Sequence, residues 1–308
     1  MRIYTKNLSE KKGHKLPTIN SQPKTRIPLF DRLLIETQSN CNRSCWFCPR
    51  TYDRSGAYLD SNGKPILNSM PTQMILSLLD QASALGFRGS VGFHHYSEPL
   101  LDDRNIQMAQ EAKQRGMKPY LHTNGDLLKG DDRLCKNVIN NYESIVVGLY
   151  DYENNTQLEH AKHYWMNRLK GANLQFSTIG LSGIVGADSM GIPRALVPTD
   201  TRMALPDLTY PNAPCQRPLI RMIIQHDGEV CNCCEDTSGA FKLGNVHQQS
   251  LEELWFSDHH VQVVQDLAEG NRGKYTLCQN CPLPPSAPVQ DPKKIAISPR
   301  HHTVAKTR

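Results

Sequence analysis

Apolar and β-branched positions recur along the chain in short runs: Leu33 to Glu36 first, then runs beginning at Ser90, Lys118, Ser144 and Asn173. These predict strands. Helical periodicity fills the gaps. Pro71-Thr72 opens a helix whose Ile75, Leu78, Leu79, Ala82 and Leu85 share one face before Gly86 ends it. Asp102 and Asp103 suit the start of a second that stops near Gly116, and Asp131 and Asp132 suit a third. A fourth runs from about Asn155 to Lys170, with Gly171 after it. The order is βαβαβαβαβ. The later strand starts fall about thirty residues apart, the length of one βα unit, whereas the first interval is longer and holds an insertion. Such alternation predicts a parallel sheet with helices outside it. Residues 32–186 hold five clear units and room for a sixth, too few for a closed barrel, which needs about 250 residues. The expected fold class is therefore α/β, a partial (β/α)6-type barrel with its site at the C-terminal strand ends.

The stretch from Leu181 to Pro214 is rich in proline and glycine and reads as a connector. Beyond it, Leu219 to Gln225 and Glu229 to Cys233 predict a hairpin around His226-Asp227-Gly228, and Ser250 to Phe256 begins a short helix that another follows. This unit looks too small for a sizeable core and in need of a metal staple. The expected organisation is a basic N-terminal extension over 1–31, the barrel over 32–186, a connector over 187–214, a small cysteine-rich domain over 215–285 and a basic, disordered tail over 286–308. A chain of 308 residues with 38% hydrophobic content can bury a core. It has no long apolar window and no leader-like segment, so it is expected to be cytoplasmic, with no membrane partner. The net charge of +5 resides in the two ends, and the middle is acidic. Nucleic acid is not an expected partner.

Ten cysteines, mostly in tight groups, read as metal ligands rather than a disulfide scaffold. Cys41, Cys45 and Cys48 form a Cys-x3-Cys-x2-Cys set on the first βα loop. Three thiolates there can hold three irons of a [4Fe-4S] cluster and leave the fourth open. A structural zinc site wants a fourth ligand, and the nearest histidines, His94 and His95, lie far downstream.

This spacing after a strand, with an aromatic residue before the last cysteine, resembles the radical S-adenosylmethionine (radical SAM) superfamily. The resemblance implies that the open iron chelates the methionine part of S-adenosyl-L-methionine, that Phe47 lies beside the adenine, and that reductive cleavage gives a 5′-deoxyadenosyl radical that abstracts hydrogen from carbon. Gly92 to Pro99 ends the second strand where that family binds the methionine amino group. Glu98-Pro99 matches closely, whereas His95, Tyr96 and Ser97 depart from the usual small residues. Thr123-Asn124-Gly125 resembles another segment near the cofactor, which implicates Asn124, and Ser177 at the end of the fifth strand is a candidate for the ribose.

Cys215, followed by Gly228, Cys233 and a late Cys278-x2-Cys281, resembles the SPASM/twitch extension of that superfamily in its shortened form with one auxiliary [4Fe-4S] cluster. A zinc ribbon shares such a set. Cys233 is chosen by its spacing from Gly228. Cys231 and Cys234 stay open as ligands or as hydrogen-atom donors, and Cys135 reads as a small core residue. The resemblance implies an oxidoreductase or epimerase acting on a small-molecule or peptide natural product, with an electron donor such as flavodoxin or ferredoxin. In oxidation, the base is His94, His95 or Tyr96. In epimerisation, a thiol returns a hydrogen atom. A non-catalytic zinc or Fe-S binding module is the alternative from another class, and cofactor cleavage separates it from both.

Overall fold

The computed structural model describes residues 27–45, 48–52, 56–152, 154–178, 210–236, 239, 241–279 and 281. The expected strands form as β1 (Arg32–Ile35), β2 (Ser90–Gly92), β3 (Lys118–Thr123), β4 (Ser144–Leu149) and β5 (Leu174–Thr178). Each is hydrogen-bonded in parallel to the next, so every connection is a crossover of the βαβ kind. The crossover helices are α1 (Thr72–Ala84), α2 (Asn105–Gln114), α3 (Asp132–Asn141) and α4 (Asn155–Arg168). Ile75, Leu78, Leu79 and Ala82 of α1 are all buried, as their spacing predicts. Asp131 and Asn154 cap α3 and α4 by accepting from the amides of Leu134 and Gln157.

The second helix starts later than expected, at Asn105. Asp102 does not cap it: its carboxylate accepts from the amide and guanidinium of Arg104, and a 3-10 turn over Pro99–Leu101 occupies the preceding residues.

The cysteine-rich unit differs more. A helical turn, α5 (Arg217–Ile220), precedes β6 (Arg221–Ile224), which pairs in parallel with β1, and β7 (Glu229–Cys231) and β8 (Lys242–Asn245) follow in antiparallel fashion. The result is one eight-stranded sheet in the order β5-β4-β3-β2-β1-β6-β7-β8. The expectation of a small unit without its own share of a large core is therefore corrected. Met222, Ile223 and Ile224 are buried on both faces, as an internal strand requires. α6 (Leu251–Trp255) and α7 (Asp258–Ala268) pack their Leu251, Leu254, Trp255 and Val264 into the same cluster as Leu33, Ile35, Leu78 and Val91. α8 (Thr276–Gln279) ends the described chain near Cys281. Ile27 and Phe30, within the stretch expected to be an extension, are buried there too, with Phe30 edge-on to Trp255 at 5.0 Å. A second cluster joins β3, β4 and β5 to α3 and α4 around Trp165.

Leu34, Ile223, Cys231 and Tyr120 meet on the opposite face of the sheet, which a partial barrel makes its concave face. Gly92 is required here because a Cβ would lie 2.8 Å from the Tyr120 ring and 2.9 Å from His94. Among the described residues no helix is long and apolar enough to cross a membrane.

Candidate iron–sulfur and cofactor site

The three-cysteine loop leaves the C-terminal end of β1, where the fold predicts function. Its turn is closed by the Cys48 amide on the Cys45 carbonyl (2.9 Å) and by the Thr51 hydroxyl on that same carbonyl (2.8 Å). The buried Arg50 guanidinium donates from Nε to the Ser39 carbonyl at 3.0 Å and anchors the loop's far side. Cys41, Cys45 and Cys48 are free and half-buried, and burial raises all three thiols, that of Cys48 to about 11. Among the described residues no three His, Cys, Asp or Glu side chains converge on one point as a single metal ion demands. Three free soft thiols on one tightly turned loop suit three corners of an iron–sulfur cube, so the residues fit that group.

Glu98 lies beside this loop and is 3% exposed. Its Oε1 accepts from the Thr123 hydroxyl at 2.6 Å and its Oε2 from the Asn124 amide at 2.8 Å, while its own amide donates to the Asn40 carbonyl. Burial raises its carboxyl against the lowering effect of these bonds. Asn124 donates in turn to the Asn42 Oδ1 at 2.8 Å. The structure thus brings Glu98, Asn124 and the three-cysteine loop together. Ser177, half-buried on β5, pairs with Gly148 farther along the sheet, away from them. Phe47 lies outside the described residues, as do residues 179–209, which hold the end of the expected barrel and most of the connector, residues 1–26 and the tail from 282.

Sequence reasoning missed Glu36. It is fully buried at the end of β1, and it holds the departing segment after β2: its Oε1 accepts from the amides of Tyr96 (2.7 Å) and Ser97 (2.9 Å), and its Oε2 from the Tyr58 hydroxyl (2.6 Å). Tyr58 comes from the insertion, which also places Asn68 on His226 at 3.3 Å. The signal was present as a carboxylate directly after the apolar run Leu33 to Ile35.

On the concave face His94 is buried against Tyr120 and His122, with ring centroids 5.3 and 5.4 Å away, and its Nδ1 has no hydrogen-bond partner among the described residues. Burial, then the neighbouring His122, His95 and Arg32, push its pKa well below the usual range, so the ring is neutral. His122 Nε2 stands 3.0 Å from the Tyr150 hydroxyl. His95 stacks on Tyr96 at 3.8 Å. Tyr96 donates its hydroxyl to the Cys234 carbonyl at 2.6 Å, which ties it to the second cysteine group.

In that group Cys215 and Cys278 pack together around Phe241, Leu267 and Tyr275. The Cys281 amide bonds the Cys278 carbonyl at 3.2 Å. Cys231, 1% exposed, and Cys234 pack against Leu34 and Ile223, and Cys233 stands outside that apolar group with its sulfur accepting from the Glu235 amide at 3.4 Å. Arg217 and Arg221 flank Cys234, Arg221 Nη1 lying 3.6 Å from its sulfur. Cys135 is buried between helix and sheet, its thiol donating to the Leu128 carbonyl at 3.2 Å.

Residues 215–282 match the family model of the SPASM domain, an iron–sulfur cluster-binding domain. Over 260 residues the chain is 29% identical to the S-adenosyl-L-methionine-dependent 2-deoxy-scyllo-inosamine dehydrogenase of Niallia circulans, covering 82% of this chain and 93% of that one. Among solved structures it resembles BtrN in complex with AdoMet and 2-DOIA, with a TM-score of 0.61 at 22% identity over 83% of this chain and 94% of that one. It also resembles anSMEcpe with bound AdoMet, with a TM-score of 0.50 at 14% identity over 82% and 85% of the two chains. The chain has the fold of these S-adenosyl-L-methionine-binding enzymes, and its residues 215–282 belong to the SPASM iron–sulfur cluster-binding domain.

Proposed function

We propose that the protein uses S-adenosyl-L-methionine to oxidise a small polar molecule by two electrons, as a dehydrogenase. Cys41, Cys45 and Cys48 would hold one [4Fe-4S] cluster, and Cys215, Cys233, Cys278 and Cys281 a single auxiliary one. Bound there, these groups supply reductive cleavage of the cofactor, hydrogen abstraction and acceptance of an electron. The chain supplies the rest. Glu98 and Asn124 orient the cofactor's polar end beside the three-cysteine loop, and Glu36 fixes the segment between them and the concave face. That face excludes bulk water and offers His94 Nδ1, neutral and without a partner among the described residues, to take the proton of a substrate hydroxyl. Tyr96, whose hydroxyl is already donated, positions the neighbouring loop instead. Flavodoxin or ferredoxin is the proposed electron source.

The observation that carries this reading is the coincidence, at the ends of β1, β2 and β3, of three free thiols on one loop with the buried Glu98–Asn124 pair. The relative named as a dehydrogenase supports oxidation, and its substrate class, the aminocyclitols, suits the imidazole and phenol groups of the concave face. The test is anaerobic reconstitution followed by incubation with S-adenosyl-L-methionine, a reductant and a panel of aminocyclitols and sugars in D2O. The expected result is 5′-deoxyadenosine with a product about two mass units lighter and no deuterium at the abstracted carbon. A product of unchanged composition carrying one solvent deuterium would overturn oxidation in favour of epimerisation. Stoichiometric zinc without cofactor cleavage would overturn both.

A further inference from the structure

One side chain ties the three-cysteine loop to two other strands. Arg43, between Cys41 and Cys45, forks onto Asp126, its Nε and Nη2 each 2.6 Å from one carboxylate oxygen, and its Nη1 reaches Asp151 at 2.7 Å. Asp126 follows β3 and Asp151 follows β4, so the guanidinium spans from the β1 loop to both neighbouring strand ends. Its side chain is only 14% exposed. Asn42 repeats the link, donating to Asp126 and accepting from Asn124. Lys129 Nζ reaches the same carboxylate, 2.9 Å from Asp126 Oδ1.

We propose that Arg43 is the positioning residue of the open cluster: its guanidinium, forked on Asp126 and braced by Asp151, pins the turn between Cys41 and Cys45 to the ends of β3 and β4, and with the two carboxylates and Lys129 it sets the charge beside the cluster. The inference rests on the cluster assignment given under the proposed function. Hydrogen bonds to cluster sulfurs and nearby charge both govern cluster potential, and loss of partners outside the ligand shell typically weakens metal binding about 10- to 100-fold. The charges make the prediction directional. Arg43 and Lys129 balance Asp126 and Asp151, Arg43→Gln leaves one net negative charge, and Asp126→Asn leaves one net positive charge. Arg43→Lys keeps the charge and loses the planar fork.

The experiment uses the full-length chain, reconstituted anaerobically as wild type, R43Q, R43K and D126N. The open cluster is the one whose electron paramagnetic resonance signal changes on adding S-adenosyl-L-methionine, and its midpoint potential is titrated through that signal. Iron loss to a chelator and amide hydrogen exchange of residues 41–45 in the metal-free chain are followed in parallel. R43Q should lower the midpoint, speed iron loss about tenfold or more and speed exchange of the loop. D126N should raise the midpoint. R43K should lose iron as R43Q does, at a midpoint near that of wild type. Wild-type midpoints in both R43Q and D126N, or an R43Q loop that exchanges as the wild type does, would overturn the proposal. If R43Q does not fold, D126N and D151N carry the test, since both should raise the midpoint and unchanged values in both refute it. A wild-type protein with no cluster that responds to the cofactor would overturn the proposed function and this inference together. A responsive wild-type cluster with an indifferent R43Q overturns this inference alone.

Discussion

Replacing Glu36 with alanine should be among the most damaging single changes in the chain, and the structure sets its size. The carboxylate is wholly buried and accepts three hydrogen bonds, from Tyr58 Oη, Tyr96 N and Ser97 N. A hydrogen bond to a charged group contributes about 1.5–3 kcal/mol, and each buried donor left without an acceptor costs about 1–3 kcal/mol. The losses overlap, because water can enter the vacated space and serve part of the three donors, so about 3–5 kcal/mol is expected. That is a large share of a total stability of about 5–15 kcal/mol. Glu36→Gln keeps an oxygen for the two amides and replaces the acceptor of the Tyr58 hydroxyl with an NH2 group, for about 1–2 kcal/mol. Urea unfolding followed by circular dichroism measures both, with the midpoint shifted and the slope unchanged. An alanine variant within about 0.5 kcal/mol of wild type would show that Glu36 does not hold the segment after β2.

Stability should fall as pH drops below about 6.5, the ordinary imidazole value, because His94 has a lowered folded pKa and the unfolded chain then binds the extra proton. Urea midpoints between about pH 8 and 5 should flatten in His94→Gln, and an unchanged slope counts against a buried neutral ring. Single serine replacements at Cys231, Cys233 and Cys234 should remove the auxiliary cluster only at Cys233, as read by iron content; loss at Cys231 or Cys234 reassigns the ligand. Gly92→Ala should destabilise by about 1–3 kcal/mol, since its Cβ meets the Tyr120 ring, and a neutral result in the same unfolding assay would mean that the ring yields freely. Tyr96→Phe should leave iron at the three-cysteine loop unchanged and lower stability by about 0.5–1.5 kcal/mol through the lost Cys234 contact, and an unaltered unfolding midpoint would refute that link.

What was legible in the sequence follows from how local each signal is. The strands β1 to β5 and the buried face of α1 were readable because their apolar spacing is set within a dozen residues. The start of α2 was misread because Asp102, a good capping residue in isolation, is engaged by Arg104. The place of β6 could not be read at all: Arg-Met-Ile-Ile looks like half of a hairpin, which it is, but its other edge pairs with β1, far earlier in the chain. The site divides the same way. Cys41, Cys45 and Cys48 stand on one loop, so their spacing alone announces them. Glu36, Arg43, Asp126 and Asp151 act through partners on other strands, and only the folded register brings those partners together. His94 stood out as a candidate, whereas the pairing of His122 with Tyr150 depends on β3 and β4 lying side by side.

That single sheet has a consequence for the chemistry. β1 and β6 run in the same direction, so the three-cysteine loop leaves the C-terminal end of β1, while Cys215 precedes the N-terminal end of β6. β7 returns antiparallel, with Cys231 opposite Ile223, which carries Cys233 and Cys234 back toward that same N-terminal end. The two cysteine sets therefore sit toward opposite ends of one rigid face, separated by the length of a four-residue strand, about 13 Å at 3.3 Å per residue. Tyr96 spans that face, its amide held by Glu36 at one end and its hydroxyl by the Cys234 carbonyl at the other. His94, Tyr120 and His122 line the space between. A molecule held against His94 would thus have a hydrogen-abstracting site on one side and an electron-accepting site on the other, with a proton acceptor beside it. A two-electron oxidation needs all three at once. An epimerisation needs a thiol open to the substrate: Cys231 is sealed between Leu34 and Ile223, whereas Cys234, packed on the same face, is only partly buried. Cys234→Ala therefore separates the two outcomes: an oxidation keeps its turnover when this thiol is removed, and an epimerisation that uses it does not.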